Sequence, residues 1–289
     1  MSIFAKPVTD IIQRRFSCRT YLPTPIPAET LQRLQNFIEN LPATPFGTTA
    51  RFCLAAASEQ DNAALKNFGT YGFIHGATGY VIGAASESEK YLEDFGWQLE
   101  VILLFATHLG LGSCWLGGTF TRSTFAQTIS LREDEIIPAV AAIGGIPDEK
   151  KARTGLIRQF AQGANRHAWE KLFFSEKFGI PLPREQAGDF ATPLDMLRWA
   201  PSASNKQPWR VVRIGDDWHF YLQRTPGYRK GMFQKMLEVE DLQRVDMGIG
   251  MSHFELTAKE LGLPGGWNIN NPEIGKIPPE TEYLVSWKS

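Results

Sequence analysis

The 289-residue sequence predicts an α+β protein in which two pseudo-equivalent halves, each with an antiparallel-rich sheet, surround buried central helices. Three observations lead there. First, DFGWQLEVILLFATHLGLGSCW (94–115) and DMGIGMSHFELTAKELGLPGGW (246–267) align without a gap. They share Asp94/Asp246, Gly96/Gly248, Ala106/Ala258, Leu109/Leu261, Gly110/Gly262, Leu111/Leu263 and Trp115/Trp267. Second, residues 92–109 are apolar almost all round, the pattern of a helix buried on every side. Third, a short helix, a turn and a strand precede each copy of the repeat in the same order.

The elements follow from local patterns. ETLQRLQNFIEN (29–40) places Leu31, Leu34 and Ile38 at helical spacing and is followed by Pro42; RFCLAAAS (51–58) reads as a strand. The first long helix then runs to Gly110 and Gly112, read as its C-terminal turn. In the second half TPLDMLRWA reads as a helix, with Thr192 as N-cap, Pro193 at the first helical position and Leu194 and Leu197 facing inward. Pro201 stops it, RVVRIG (210–215) is the matching strand, and the second long helix follows. The junction near KFGIPLPREQ (177–186) is short and carries no charge block. The division is therefore residues 1–180 and 181–289, packed as one unit about the two long helices.

Composition narrows the function. Lys plus Arg number 30 against 31 Asp plus Glu, a net charge of −1, so there is no bulk electrostatic case for nucleic acid or an anionic membrane. Any bound anion must be held by a local cluster. Cys18, Cys53 and Cys114 are odd in number and far apart, which fits a reduced compartment. The opening MSIFAKPVTD has no apolar signal core, and VILLFA (101–106) is far shorter than the ~20 residues that span a bilayer. A cytoplasmic location is the expectation. His75, His108, His167, His219 and His253 lack metal-site spacing. His108 and His253 read as hydrogen-bonded structural residues, and Cys114 as buried rather than reactive. GLGSCWLGG (110–118) begins like a dinucleotide fingerprint but follows a helix, with Trp115 in place of the third glycine, so that reading fails.

Two asymmetries between the halves carry the chemistry. After the short helix the second half reads Pro201, Ser202, Ala203, Ser204, Asn205, Lys206, Gln207, Pro208, Trp209, whereas the first has Ala43, Phe46 and Thr48 opposite Ser202, Asn205 and Gln207. A hydroxyl and two amides on a Pro-bounded turn can hydrogen-bond a flat heterocycle; such turns also commonly satisfy their own backbone. Conversely, RRFSCRTY (14–21) gathers Arg14, Arg15 and Arg19 around Ser17, a compact phosphate grip or a solvated basic helix end. The corresponding FFSEKFGI (173–180) has no arginine. Gly117 and Gly118, beyond Trp115 and Leu116, leave bare backbone that a planar ligand could approach.

Together these residues resemble the nitroreductase-like flavoprotein family. Its R-x-S-x-R stretch is matched by Arg15, Ser17 and Arg19. Its Pro-Ser-x-x-Asn-x-Gln-Pro-Trp turn is matched by Pro201, Ser202, Asn205, Gln207, Pro208 and Trp209, and its LGLG-x-x-W-x-G-G segment by Leu109 to Gly118. Members are usually homodimers with two FMN sites, each taking its phosphate grip from one subunit and its Ser/Asn turn from the other. The resemblance therefore implies a fused, single-chain pseudo-dimer keeping one FMN site, with Arg14, Arg15, Ser17 and Arg19 from the first half and Pro201, Ser202, Ala203, Asn205 and Gln207 from the second. The segment Trp115–Leu116–Gly117–Gly118 completes that site. A late basic residue on the phosphate is implied too: Arg166 is the best match, with Lys151 or Arg153 as substitutes. The implied activity is FMN-dependent oxidation of NADH or NADPH with a nitroaromatic, quinone or similar flat acceptor, and no side-chain acid or base stands out. A flavin-binding sensor or carrier without turnover is the alternative. A monomer would suffice.

Overall fold

The chain alternates helices and strands in an order that is nearly the same in its two parts. The computed structural model describes residues 3–58, 65, 68–118, 120–147, 165–228 and 240–289. The first part contains α1 (Val8–Arg14), α2 (Ala28–Glu39), β1 (Ala50–Ala56), β2 (Gly79–Ser86), α3 (Tyr91–His108), β3 (Gly112–Leu116), α4 (Arg122–Ile129), β4 (Glu135–Ile136) and β5 (Val140–Gly144). The second contains β6 (Phe173–Ser175), α5 (Ala191–Trp199), β7 (Trp209–Ile214), β8 (Asp217–Gln223), α6 (Leu242–Glu260), β9 (Gly266–Asn268) and β10 (Thr281–Lys288).

One sheet runs β1-β2-β5-β3, with β4 beside β2; the other runs β6-β7-β8-β10-β9. Apart from β4 in the first sheet and β6 in the second, the two orders match strand for strand. The ladders are antiparallel, as with Cys53 opposite Ile82 and Val211 opposite Phe220. The exception is β6, which lies parallel to β7. Phe173–Ser175 thus belongs by hydrogen bonding to the second sheet, so a division at residue 180 does not coincide with the division between sheets. The repeat pattern could not show this, because backbone pairing at a sheet edge leaves no periodic signature.

The helices α3 and α6 lie at the centre, each buried along nearly its whole length. Their crossing explains the repeated glycines. A β-carbon on Gly248 would collide with the Glu93 carbonyl oxygen, and one on Gly96 with the Val245 carbonyl oxygen. The two backbones therefore meet where neither has a side chain. Both helices also end alike. The N–H groups of Gly110 and Leu111 reach Thr107 and Ala106, and those of Gly262 and Leu263 reach Lys259 and Ala258. Gly110 and Gly262 hold φ of 87° and 68° in these Schellman turns. Gly112, by contrast, is not part of the turn. It opens β3, where a β-carbon would sit 2.9 Å from that of Cys18.

Helix α5 begins at Ala191, with Phe190 at its cap, and not at a Thr192 cap. Pro193 falls third in the helix, still in the first turn, where an N–H has no intrahelical acceptor to lose. Leu194 and Leu197 are fully buried as the spacing predicts. Among the described residues no helix is long and apolar enough to cross a membrane.

Candidate functional site

A cleft of about 570 Å³ opens between the two parts of the chain, lined by the segment after α1, by β3, by the turn after α5 and by α6.

The segment after α1 is held extended. Ser17 bridges Ser113 of β3, Cys18 N–H donates to the Ser113 carbonyl at 2.9 Å, and His75 N–H donates to the Arg19 carbonyl at 2.9 Å. With a period of two, Cys18 enters the core while Ser17 and Arg19 line the cleft. The Nη1 of Arg19 is buried and finds no hydrogen-bond partner. A buried guanidinium donor facing a cleft without an acceptor fits an anionic or acceptor group of a ligand.

The turn after α5 enters from the other side. Pro201 has no N–H to continue the helix, Ser202 is extended, and a single 3-10 turn covers Ala203–Asn205. Ser202 Oγ accepts the Gln207 N–H at 2.9 Å, and Asp246 Oδ1 accepts the Ala203 N–H at 2.9 Å. Ser204, Asn205 and Gln207 all take positive φ, near 50°. Pro201, Ser202, Ala203 and Ser204 line the cleft. Trp115 of β3 and Gly117 form its wall, and the Trp115 Nε1 donates to Glu100 Oε2 at 2.7 Å.

Several expected site residues lie elsewhere. Arg15 turns inward, its Nε 3.2 Å from Glu100 Oε1, with side chains 3% and 0% exposed. Glu100 also meets His253 Nε2 at 3.0 Å. Burial alone would raise the Glu100 carboxyl, but Arg15, His253 and Trp115 outweigh it and hold the group below its usual range. Arg15 is thus a buried counter-ion, and Arg14, on the exposed side, borders a separate pocket with it near Gly110 and Gly112. Arg166 lies by the turn's outer face: its Nη2 donates to the Trp199 carbonyl at 2.9 Å and its Nη1 approaches Asn205 Oδ1 at 3.4 Å. The amides turn the same way, Asn205 donating to the Asn165 carbonyl at 2.8 Å and Gln207 accepting the His167 N–H at 2.8 Å. They bind the 165–167 segment to the turn and do not face the cleft. Leu116 is core, and a β-carbon on Gly117 would meet Leu242 Cδ1 at 2.5 Å, so that bare position serves packing against α6. Gly118 is half-buried. Lys151 and Arg153 lie outside the described residues.

The other side-chain expectations divide. His253 is fully buried and bonded through both nitrogens, but the buried His108 Nδ1 has no partner. Burial raises the Cys114 thiol, which keeps it protonated. Asp246, Leu242, Val245 and Ile249 of α6 line the cleft and were not singled out from the sequence. The repeat pairing of Asp246 with Asp94 was the available signal.

The sequence profile of the family described as "Putative TM nitroreductase" matches residues 7–258. Comparison with curated protein sequences gives no significant match. Among solved structures, a "putative nitroreductase" from Thermotoga maritima is similar at 19% identity, with 99% of this chain and 95% of that one covered and a TM-score of 0.61. An "FMN-dependent nitroreductase" from Clostridium difficile shares 19% identity over 48% of this chain and 87% of its own, with a TM-score of 0.39. A "putative nitroreductase" in complex with FMN from Exiguobacterium sibiricum shares 12% identity over 52% and 92%, with a TM-score of 0.41.

Proposed function

The chain belongs to the TM nitroreductase family, and on that premise we propose that it is an FMN-dependent oxidoreductase with a single cofactor site in the cleft between its two halves. One observation carries the reading. Ser17 and Arg19, from one half, and Pro201, Ser202 and Ala203, from the other, line the same cleft, with the buried Arg19 Nη1 unpartnered there. When bound, FMN would supply the redox chemistry, hydride and electron transfer between NADH or NADPH and a flat acceptor such as a nitroaromatic or quinone.

The chain's own residues bind, orient and exclude water. Arg19 supplies positive charge and, with Ser17, the donors for the cofactor's acceptor atoms. Trp115, fixed through Glu100, gives a rigid wall for a flat ring, and the Ser202–Ala203 backbone, fixed by Asp246, closes the opposite side. Arg15 acts indirectly by neutralising Glu100.

The single-site reading is supported by what fills the matching positions. Phe46 packs on the main core, Phe173 is fully buried, and Phe174 packs against Phe178, which meets Tyr221 edge-on. The matching strand orders, the glycine crossing and the twin Schellman turns support a fused pseudo-dimer. A monomer then holds the whole site.

Anaerobic mixing of the FMN-loaded protein with NADPH, and separately NADH, tests the activity. Loss of the flavin's visible absorbance, and its return on adding a quinone, is expected. A flavin that stays oxidised with both donors would make the protein a carrier or sensor.

A further inference from the structure

The cleft contains a second buried polar atom without a partner. Asp246 lies on α6, is 3% exposed and lines the cleft; its Oδ1 takes the Ala203 N–H, while Oδ2 is buried and has no hydrogen-bond partner. Its repeat counterpart is built differently. Asp94 accepts the Phe46 N–H at 3.1 Å on Oδ1, and the Thr48 N–H at 2.9 Å and Thr48 hydroxyl at 2.8 Å on Oδ2. Both aspartates brace the turn of their own half, but only Asp94 has both oxygens supplied with donors.

An ionised carboxylate is an acceptor only, with about four lone-pair sites; a protonated one has an O–H to give. Three donors around Asp94 suit acceptance. One donor around a buried Asp246 does not, because an unsolvated, unpaired charge is costly. We propose that Asp246 is a neutral hydrogen-bond donor of the cleft, its Oδ2–H directed to an acceptor atom, a carbonyl oxygen or unprotonated ring nitrogen, on the bound flat heterocycle. This deepens the FMN reading and rests on it for the identity of the ligand.

The charged surroundings agree. Asp241, the residue that caps the start of the same helix, is paired with Arg224 at 2.7 Å and adds negative charge. The half-buried Tyr228 and Trp115 bring no cation. Arg19 faces the cleft without an ion pair among the described residues. Arg244, two residues before Asp246, is bound to Glu93 at 2.7 Å. Burial, and then Asp241, push the Asp246 carboxyl well up, against the single Ala203 hydrogen bond that lowers it.

Two measurements test this. In the first, FMN binds to the apoproteins of wild type, Asp246→Asn and Asp246→Ala near pH 7. The Asn amide can still accept from Ala203 and donate from the other end, so its affinity should stay within about threefold of wild type, whereas Ala should weaken binding by about tenfold. An Asn variant as weak as Ala would show that a carboxylate is required and overturn the proposal. The second measurement needs no flavin: melting temperature against pH for wild type and Asp246→Asn. A folded-state pKa above the unfolded ~3.9 means stability that is full below the unfolded value and lost as pH rises through the folded one. Wild type should therefore fall away from Asp246→Asn as pH rises. Parallel curves would overturn the neutral carboxyl. Failure of wild type to take up FMN would instead strike the cofactor reading, with the melting curves still deciding the protonation of Asp246.

Discussion

Gly248→Ala is expected to lower the melting temperature by roughly 2–12 °C, since overpacking costs about 1–3 kcal/mol and each kcal/mol moves a large chain by about 2–4 °C. The added methyl would meet both the Glu93 carbonyl oxygen and the Trp97 backbone nitrogen. These are backbone atoms of a helix, so no rotamer change relieves the clash; α3 and α6 must separate. Separation would loosen the Asp94 and Asp246 braces of both turns. Gly266→Ala is the control, because its β-carbon would meet nothing within 4 Å. Differential scanning calorimetry of both variants checks this. Similar melting for Gly248→Ala and wild type would mean that the helices do not depend on close approach at this point.

Arg19→Ala is expected to weaken FMN binding by about ten- to a hundredfold, the loss of a charge-assisted hydrogen bond worth ~1.5–3 kcal/mol. The fold should survive, because Arg19 is held by its backbone bond to His75 and its side-chain Nη1 is without a structural partner. Lys177→Ala removes an exposed cation from the matching stretch of the second half and should leave FMN content unchanged. Fluorescence titration of the apoproteins reads both. Equal loss from the two variants would show that the halves are not specialised.

Much of the fold was legible because the residues that set it are repeated. Gly96 and Gly248 recur because two backbones meet there, and Gly110 and Gly262 because both helices end in a left-handed residue. The membership of the cleft was legible in part. Ser17, Arg19, Pro201, Ser202, Ala203, Trp115 and Gly117 meet as the motifs imply. Which of three arginines faces the cleft was not, since it depends on Glu100, a buried acceptor on a different element that claims Arg15. Asn205 and Gln207 likewise answer to Asn165 and His167, a contact across the fold with no spacing to announce it. Asp246 was visible only as half of a repeated pair. Its distinguishing property, an oxygen left without a donor, exists only once the turn above it has folded.

The central claim, one cofactor site shared by two unlike halves, is tested most directly by saturating the apoprotein with FMN in equilibrium dialysis and counting cofactor per chain. One FMN per chain is the expected result. Two per chain, or none at saturation, would contradict it.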